Sequence, residues 1–271
     1  MGRPGIVSGC LFLLLATSAC QQNAKKAENA PTATTPEAAA ADTKPAKPTL
    51  DPNAVDALKT MSTFLSGLNS FDLTSNASLD AITKSNQRIQ MDGVAHYKVK
   101  RPGIRLDLDS DIKTRRYFFD GKNFTIYSPK LGFYATMPAP ATNREFLKAL
   151  YDKFGISLPL ADLFRWNDGD DSDLKELTSA FSAGTATLDG VETNHWAFRQ
   201  GQYDWEVWIE QGARPLPRKL VIIDRGDRTY PTYTARLNWI VNPPLSDDLF
   251  TFTPGKDAKR IHLAEFRGVA K

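Results

Sequence analysis

The sequence is poor in the residues that build reactive centres. Its 271 residues include only two cysteines and three histidines. Both cysteines, Cys10 and Cys20, lie within the first twenty residues, so the sequence after them has none for a disulfide or a zinc site. The histidines are dispersed and lack the helical spacing of a zinc peptidase; they are His96, His195 and His262.

The motifs of several enzyme classes are also missing. The sequence has no G-x-S-x-G elbow and no glycine loop of the phosphate-binding type. Three carboxylates, Asp204, Glu206 and Glu210, fall on the polar face of a predicted strand without an opposing partner, which argues against a glycosidase pair. We therefore expect no catalytic residue and no cofactor, and a hydrolase is the third hypothesis.

One acidic cluster offers oxygen ligands for a hard cation. The segment "WNDGDDSD" contains four aspartates. The spacing is not that of an EF-hand, because Ser179 stands where the bidentate glutamate would be. We expect a solvated loop and no metal site at these residues: Asp168, Asp170, Asp171 and Asp173.

The charge balance excludes a partner class. The 34 basic and 31 acidic residues give a net charge of +3. The densest basic run, "KTRR", lies beside the acidic "DLDSD", so the local fields largely cancel. We expect no nucleic-acid partner.

The amino-terminal segment is typical of an exported lipoprotein. The apolar run from Ile6 to Ala16 is shorter than the roughly 20 residues of a membrane-spanning helix. Small residues then lead into Cys20, which resembles a bacterial lipobox; an ordinary signal peptide is the alternative, since Thr17 replaces the usual leucine. The lipobox predicts a signal peptide over 1–19 and acylation of Cys20, and two or three acyl chains make a stable anchor. Gln21 after the cysteine favours the outer membrane, facing the periplasm.

A tether is predicted between this anchor and the folded domain. Residues 20–51 are rich in alanine, proline, threonine and lysine and contain no aromatic residue. Such a composition buries too little apolar surface to offset the entropy of ordering. We expect a flexible linker over 20–51 and one domain over 52–271.

The hydrophobic period of the domain changes from helical to extended. Val55, Leu58, Met61, Leu65 and Leu68 recur at spacings of three and four, which predicts a helix that starts at Asp51 and Pro52. From Phe71 onward the period is two, and "YFFDGKNFTIY" is typical of a hairpin.

The middle of the chain returns to helical patterns. "TNREFLKALYDKFG" has a capping box at Thr142 and Glu145 and ends at Gly155. A second short helix is predicted from Pro159 to Phe164, and a third over Ser172 to Phe181. Strands follow after Gly184.

Together these patterns predict an α+β fold. About ten strands with short connections favour one strongly curved antiparallel sheet, an incomplete β-barrel, with an N-terminal helix and mid-chain lid helices. Its concave face would carry many aromatic residues, for which core packing is the alternative explanation. An acyl chain of about 14 carbons gains up to about 11 kcal/mol on burial, before the costs of association. The predicted ligand-binding residues are Tyr97, Phe133, Trp196, Tyr203, Trp205 and Trp239 on strands, and Phe146, Leu150, Phe154, Leu160, Leu163 and Phe164 on the lid.

Several runs carry a resemblance to a known family. "RPGIRLDLDSD", "YFFDGKNFTIYSPKLGFYATMPAP", "YDKFGISLPLADLF" and "VETNHWAFRQGQYDWEVWIEQGARPLPRKLVI" occur in this order, followed by "FTFTP". This order resembles domain-of-unknown-function family 2092, the predicted periplasmic proteins of bacteria, over about Asn53 to Ile261. That family is similar in element order to the LolA and LolB lipoprotein-localisation fold. The resemblance implies a helix-covered apolar cavity, and no functional residue of those carriers can be matched here.

The leading hypothesis is a non-enzymatic outer-membrane lipoprotein. It would bind a lipid, a lipoprotein acyl chain or a hydrophobic protein segment. The alternative is an envelope scaffold or signalling module with a filled core, which would bind other envelope proteins through the sheet surface.

Overall fold

The computed structural model describes residues 49–156, 158–160 and 172–264. The predicted signal peptide, Cys20 and nearly all of the predicted linker lie outside the described residues. So do Leu163 and Phe164, and the cluster aspartates Asp168, Asp170 and Asp171.

The described residues form twelve strands and a few helices. The helices are α1 (Pro52–Ser66), α2 (Asn143–Phe154), the one-turn α3 (Ser172–Lys175) and a 3₁₀ helix (Asp247–Phe250). The first six strands are β1 (Ser70–Ile82), β2 (Arg88–Lys100), β3 (Gly103–Ser110), β4 (Thr114–Phe119), β5 (Asn123–Ser128) and β6 (Phe133–Pro138). The others are β7 (Leu177–Leu188), β8 (Val191–Gln200), β9 (Tyr203–Glu210), β10 (Pro217–Asp224), β11 (Thr232–Val241) and β12 (Lys259–Arg260).

All twelve strands belong to one sheet. Their order is β12-β6-β5-β4-β3-β2-β1-β11-β10-β9-β8-β7. Two meanders, β1 to β6 and β7 to β11, are joined where β1 pairs antiparallel with β11 from Phe71↔Val241 to Leu79↔Tyr233. The sheet is open and curved and has α1 and α2 on its inner side, so the predicted fold class is confirmed.

Helix α1 begins and packs as its sequence predicts. The Asp51 carboxylate accepts a hydrogen bond of 2.9 Å from the Asn53 amide, and Pro52 occupies the first turn. Of the apolar stripe predicted from the spacing, Leu58, Met61, Leu65 and Leu68 are buried and Val55 is half-buried; Ala54, which was not predicted, is also buried.

Helix α2 is capped by the predicted pair, Thr142 and Glu145. The Thr142 hydroxyl accepts from the Glu145 amide at 3.3 Å and donates to the Glu145 carboxylate at 2.9 Å. The helix ends at Gly155, whose φ of 63° is left-handed and suits a residue without a side chain. Phe146, Leu147 and Leu150 are buried on the face toward the sheet.

One of the predicted mid-chain helices is corrected. The helix expected over Ser172 to Phe181 ends at Lys175, and Leu177 begins β7. Ladder pairing with β8 and burial of Ala180 override the local helical pattern. Of the helix predicted from Pro159 to Phe164, the structure describes only Pro159 and Leu160, where the Leu160 φ of 56° is not that of a right-handed helix; the rest lies outside the described residues.

The strand count is also higher than the predicted ten. The strand β7 starts before Gly184, and the two-residue β12 adds a parallel pairing to β6. No helix among the described residues has the length and apolar character needed to cross a membrane.

The carboxyl-terminal segment packs on the outer side of the sheet. Phe252 contacts three aromatic rings of β4, β5 and β6, with centroid distances of 5.3 Å to Phe118, 5.0 Å to Tyr127 and 5.1 Å to Tyr134. This cluster holds the segment against β4, β5 and β6, the last of which pairs with β12.

Candidate functional site

The concave face of the sheet is apolar because alternate residues of each strand point inward. Across the middle of this face, α1 and α2 fill the space. Phe146 of α2 stacks on Phe119 at 4.2 Å and lies 5.1 Å from Phe124. The resulting core includes Met61 and Leu65 of α1. Side chains of the protein itself thus occupy the centre of the predicted interior.

Five of the predicted ligand-binding residues belong to this core. Tyr97 is fully buried, and its hydroxyl donates to the Pro159 carbonyl oxygen. Trp205 stacks on Phe198 at 4.3 Å. The buried five are Tyr97, Trp205, Phe146, Leu150 and Leu160. Their role in ligand binding stays a prediction. Because these side chains are buried, a ligand would contact them only at the bottom of a binding site.

Four other predicted residues are half-buried around the core. The Trp239 indole donates to the Pro217 carbonyl oxygen at 2.8 Å and packs against Phe71 at 5.3 Å. Trp239, Trp196 and Phe154 pack against the core, and Tyr203 is half-buried at the start of β9. The structure therefore distributes these rings around the rim of the concave face.

Phe133 is separate from the other predicted residues. It is 38 % exposed and lies on β6, opposite Lys259 of β12. The sheet order places β6 six strands from β11, eight from β9 and nine from β8, so Phe133 is separated along the sheet from the predicted rings of those strands.

A small pocket lies between α1 and the strands β8 and β9. Its volume is about 180 Å³, whereas pockets for drug-sized ligands are typically about 300–1,000 Å³. Trp196 lines it, and the indole Nε1 of Trp196 is buried without a hydrogen-bond partner among the described residues. This pocket is too small for a long acyl chain. Its lining residues are Ala57, Thr60, Asn194, Trp196, Ile209, Glu210, Gln211, Gly212 and Pro215.

An apolar surface lies at the far end of the concave face, where β1 and β2 extend to their hairpin. The register aligns Met91 with Leu79 and Leu79 with Tyr233, and Tyr233 then pairs with Ile222. These four side chains are half-exposed. We call this row, from Met91 to Ile222, the open end.

The open end continues into the core without a break. Ile222 pairs with Trp205, which pairs with Phe198. On β2, Ile89 lies two residues before Met91 on the same face and is 40 % exposed. Leu79 and Met91 are not part of the packed core, although Ile222 and Tyr233 contact it. An apolar ligand at the open end would thus contact half-exposed residues and then the buried rings.

Sequence reasoning missed this group, although part of its signal was present. Period-two alternation put Leu79 on the inner face of β1 and Met91 on that of β2. The contact of Leu79 with Tyr233 depends on the pairing of β1 with β11, more than 150 residues apart in sequence. Alternation cannot predict such a pairing.

The carboxylates of β9 each have a basic neighbour. Asp204 lies 2.6 Å from Arg199 Nε and 3.0 Å from Arg225 Nε, and the hydrogen bond from Arg199 lowers the pKa of Asp204. Glu206 Oε2 is 2.7 Å from His195 Nε2, and Glu210 pairs with Arg218. Each of these carboxylates therefore has its own basic partner.

One inner-face tyrosine has a shifted pKa. Burial raises the pKa of Tyr117 to about 12, against an opposing effect of Arg115. The phenol therefore stays neutral at physiological pH and contributes an apolar ring, which stacks on Phe124 at 6.2 Å. Within the described ranges, no three histidine, cysteine or acidic side chains are grouped as a metal site would require.

The family comparison identifies the chain. Residues 54–264 match the model of the family described as predicted periplasmic protein, DUF2092. The chain belongs to this family. The resemblance inferred from the sequence motifs is thus confirmed, and the family description is periplasmic. The chain matches no curated protein.

Solved structures with a similar arrangement come from several bacteria. The lipoprotein LppX of Mycobacterium tuberculosis is 12 % identical in sequence to this chain, and the two structures match with a TM-score of 0.47. The match covers 73 % of this chain and 100 % of LppX. LprF of Mycobacterium bovis is also 12 % identical, with a TM-score of 0.43, and the match covers 79 % of this chain and 100 % of LprF. A LolA superfamily protein of Nitrosomonas europaea is 10 % identical with a TM-score of 0.36, covering 73 % and 97 %. These similarities concern the fold.

Proposed function

We propose that this periplasmic-family protein binds an apolar or amphipathic ligand at the open end of the concave face. The observation that carries the proposal is the row Met91, Leu79, Tyr233 and Ile222, which is apolar, half-exposed and continuous with the core. A lipid, the acyl chain of a lipoprotein or a hydrophobic protein segment fits such a surface. No catalytic residue is needed.

The binding energy would come from covering these side chains. Each methylene removed from water contributes about 0.8 kcal/mol. Because the centre of the concave face is filled, the ligand would lie along the open end and contact Trp205 and Tyr203 only at its inner limit. We therefore expect a short apolar segment to bind with a larger free energy per apolar atom than a long chain, whose distal part would not contact the open end.

Polar substitutions at the open end should weaken ligand binding. We expect Leu79→Ser and Met91→Ser each to raise the dissociation constant of a fluorescent C14 fatty acid about tenfold or more, since about 1.4 kcal/mol corresponds to a factor of ten. The measurement is a fluorescence titration of the full chain in detergent below its critical micelle concentration, and mass spectrometry of co-purified lipid accompanies it.

The matched control is Ile240→Ser. Ile240 is 61 % exposed and lies on β11, where alternation puts it on the opposite face from Tyr233. Its substitution should leave the titration unchanged. Equal affinities for the wild type, the Leu79 variant and the Met91 variant would contradict the proposal, as would a wild type that binds no apolar probe.

We also propose that Cys20 anchors the protein to the outer membrane, with the domain in the periplasm. Cys20→Ser should move the protein from the membrane fraction to the soluble periplasmic fraction, because the acyl chains supply the attachment. Subcellular fractionation with immunoblotting measures this, and metabolic labelling with palmitate should fail in the variant. Unchanged fractionation of Cys20→Ser would contradict the anchor.

A second candidate function is an envelope interaction module. The filled centre of the concave face favours it, because a packed core leaves the sheet surface as the available contact area. In that case, purified protein carries no lipid and the Leu79 and Met91 variants keep their partners. The titration above therefore separates the two functions.

A further inference from the structure

Four hairpin turns lie at the same end of the sheet as the open end. Antiparallel neighbours run in opposite directions, so the turns from β1 to β2, from β3 to β4 and from β5 to β6 share one end. The turn from β10 to β11 joins them, because Leu79 near the end of β1 lies opposite Tyr233 near the start of β11. We call these four turns the tips; they are 83–87, 111–113, 129–132 and 225–231.

Three of the tips carry a large apolar side chain that is more than half exposed. Ile112 is 65 % exposed, Leu131 is 63 % exposed and Tyr230 is 55 % exposed. The turns at the opposite end of the sheet are 101–102, 120–122, 189–190 and 211–216. None of these described turns carries an exposed large apolar side chain. Exposed apolar residues are thus concentrated at one end, which is typical of an interaction surface.

Each tip also has an exposed basic side chain without an ion pair. Basic residues of the strands are commonly paired, as Arg88 is with Asp80. The acidic residues of the tips are Asp111 and Asp227, and each accepts a hydrogen bond from a backbone amide. The tips therefore present a net positive charge. Their exposed basic residues, which have no acidic partner among the described residues, are Lys84, Lys113, Lys130 and Arg228.

The tips are spread over a long distance. They belong to eight neighbouring strands, from β6 to β10 in the sheet order. At about 4.8 Å between strands, they extend over about 35 Å along the curved sheet. A small ligand would contact one or two tips only, so a partner that contacts all of them has an extended surface.

We propose that the tips dock on an anionic lipid membrane, so that the open end faces the bilayer. Unpaired cations are attracted to anionic head groups, and exposed apolar side chains enter the boundary between head groups and acyl chains. An acidic soluble partner would match the cations but leave Ile112 and Leu131 in water. An apolar partner would leave the cations unpaired. A bilayer offers both layers over the whole length of the tips.

This orientation places the proposed ligand site next to the source of an acyl chain. The row from Met91 to Ile222 begins three residues inside the strand ends that lead to the turn 83–87. An acyl chain that leaves the bilayer therefore reaches the row without crossing the filled centre of the concave face. This exchange rests on the proposed function, whereas docking on the membrane does not.

Vesicle co-sedimentation tests the docking. The full chain carries Cys20→Ser, so that no acyl chain at this position contributes to binding. It should bind vesicles of phosphatidylcholine and phosphatidylglycerol in equal parts at least about tenfold more tightly than vesicles of phosphatidylcholine alone. Added salt should weaken this binding, because it screens exposed charges.

Two double variants separate the contribution of charge from that of apolar contact. Lys113→Gln with Lys130→Gln removes two of the unpaired cations. Ile112→Ser with Leu131→Ser removes two of the most exposed apolar side chains. Each double variant should weaken binding to the anionic vesicles about tenfold or more.

The matched controls lie away from the tips. Lys122 is exposed in a turn at the opposite end, and Ile240 is 61 % exposed on β11. Lys122→Gln and Ile240→Ser should bind the anionic vesicles as the unsubstituted chain does. The fluorescent fatty-acid titration keeps the two proposals apart, since the tip variants should retain their fatty-acid affinity and Leu79→Ser should retain vesicle binding.

Equal binding to both kinds of vesicle would overturn the proposal, as would tip variants that bind as the controls do. A chain that binds no vesicle would also overturn it. If the tip variants then lose a cross-link to another envelope protein, the tips bind protein and not lipid.

Discussion

Replacing Phe146 with alanine lowers the free energy of unfolding by about 3–5 kcal/mol, as is typical of a large ring removed from a packed core. Phe146 is 2 % exposed and stacks on Phe119 at 4.2 Å. Its contact with Phe124 at 5.1 Å extends the cluster over two strands. The cavity left by the ring would lie between α2 and the sheet, where α2 has two other buried side chains, Leu147 and Leu150.

Chemical denaturation monitored by tryptophan fluorescence measures this change. Phe133→Ala is the matched control, because Phe133 is 38 % exposed on β6 and its loss should cost less than about 1.5 kcal/mol. A Phe146→Ala loss no larger than that of the control would mean that α2 does not pack as described. The same variant also tests whether a lid helix can be loosened without global unfolding.

Substituting Gly103 with alanine should lower the free energy of unfolding by about 1–3 kcal/mol through overpacking. A Cβ atom at this position would lie 2.7 Å from Cγ of Phe250, a distance that requires the ring to move. Phe250 is only 4 % exposed, so the ring has little freedom to do so. Gly255→Ala is the control, because a Cβ there meets no atom within 4 Å.

A double-mutant cycle gives the sharper form of this prediction. Phe250→Ala alone should cost about 3–5 kcal/mol, since it empties a buried position. Combined with Gly103→Ala, the total should be at least about 1 kcal/mol smaller than the sum of the single effects, because the clash is gone once the ring is removed. Additive costs would show that Gly103 and Phe250 are not in contact.

Local patterns predicted the elements that have strong local signals. The spacing from Val55 to Leu68 predicted α1, and the Thr142 and Glu145 capping box predicted α2. In each case the apolar stripe and the capping side chain lie within the same short segment. The same reasoning failed at Ser172 to Phe181, where pairing of β7 with β8 decides the structure.

The candidate site was predicted only in part. The sequence placed aromatic rings such as Trp205 and Trp239 on the inner face, and they do lie there or at its rim. The sequence did not show that Tyr97 and Phe146 would be buried in the core, because the volume left between the helices and the sheet depends on how closely the helices pack against it. The open end was missed since it combines residues of β1, β2, β10 and β11.

The sequence by itself determined the family, the alternation that makes one face of the sheet apolar, and the helix caps, because each of these depends on residues only a few positions apart. Only the tertiary structure decided which inner-face residues remain exposed, because this depends on the pairing of β1 with β11 and on the positions of α1 and α2 across the sheet. Contacts between segments more than 150 residues apart leave no local pattern from which such positions could be predicted.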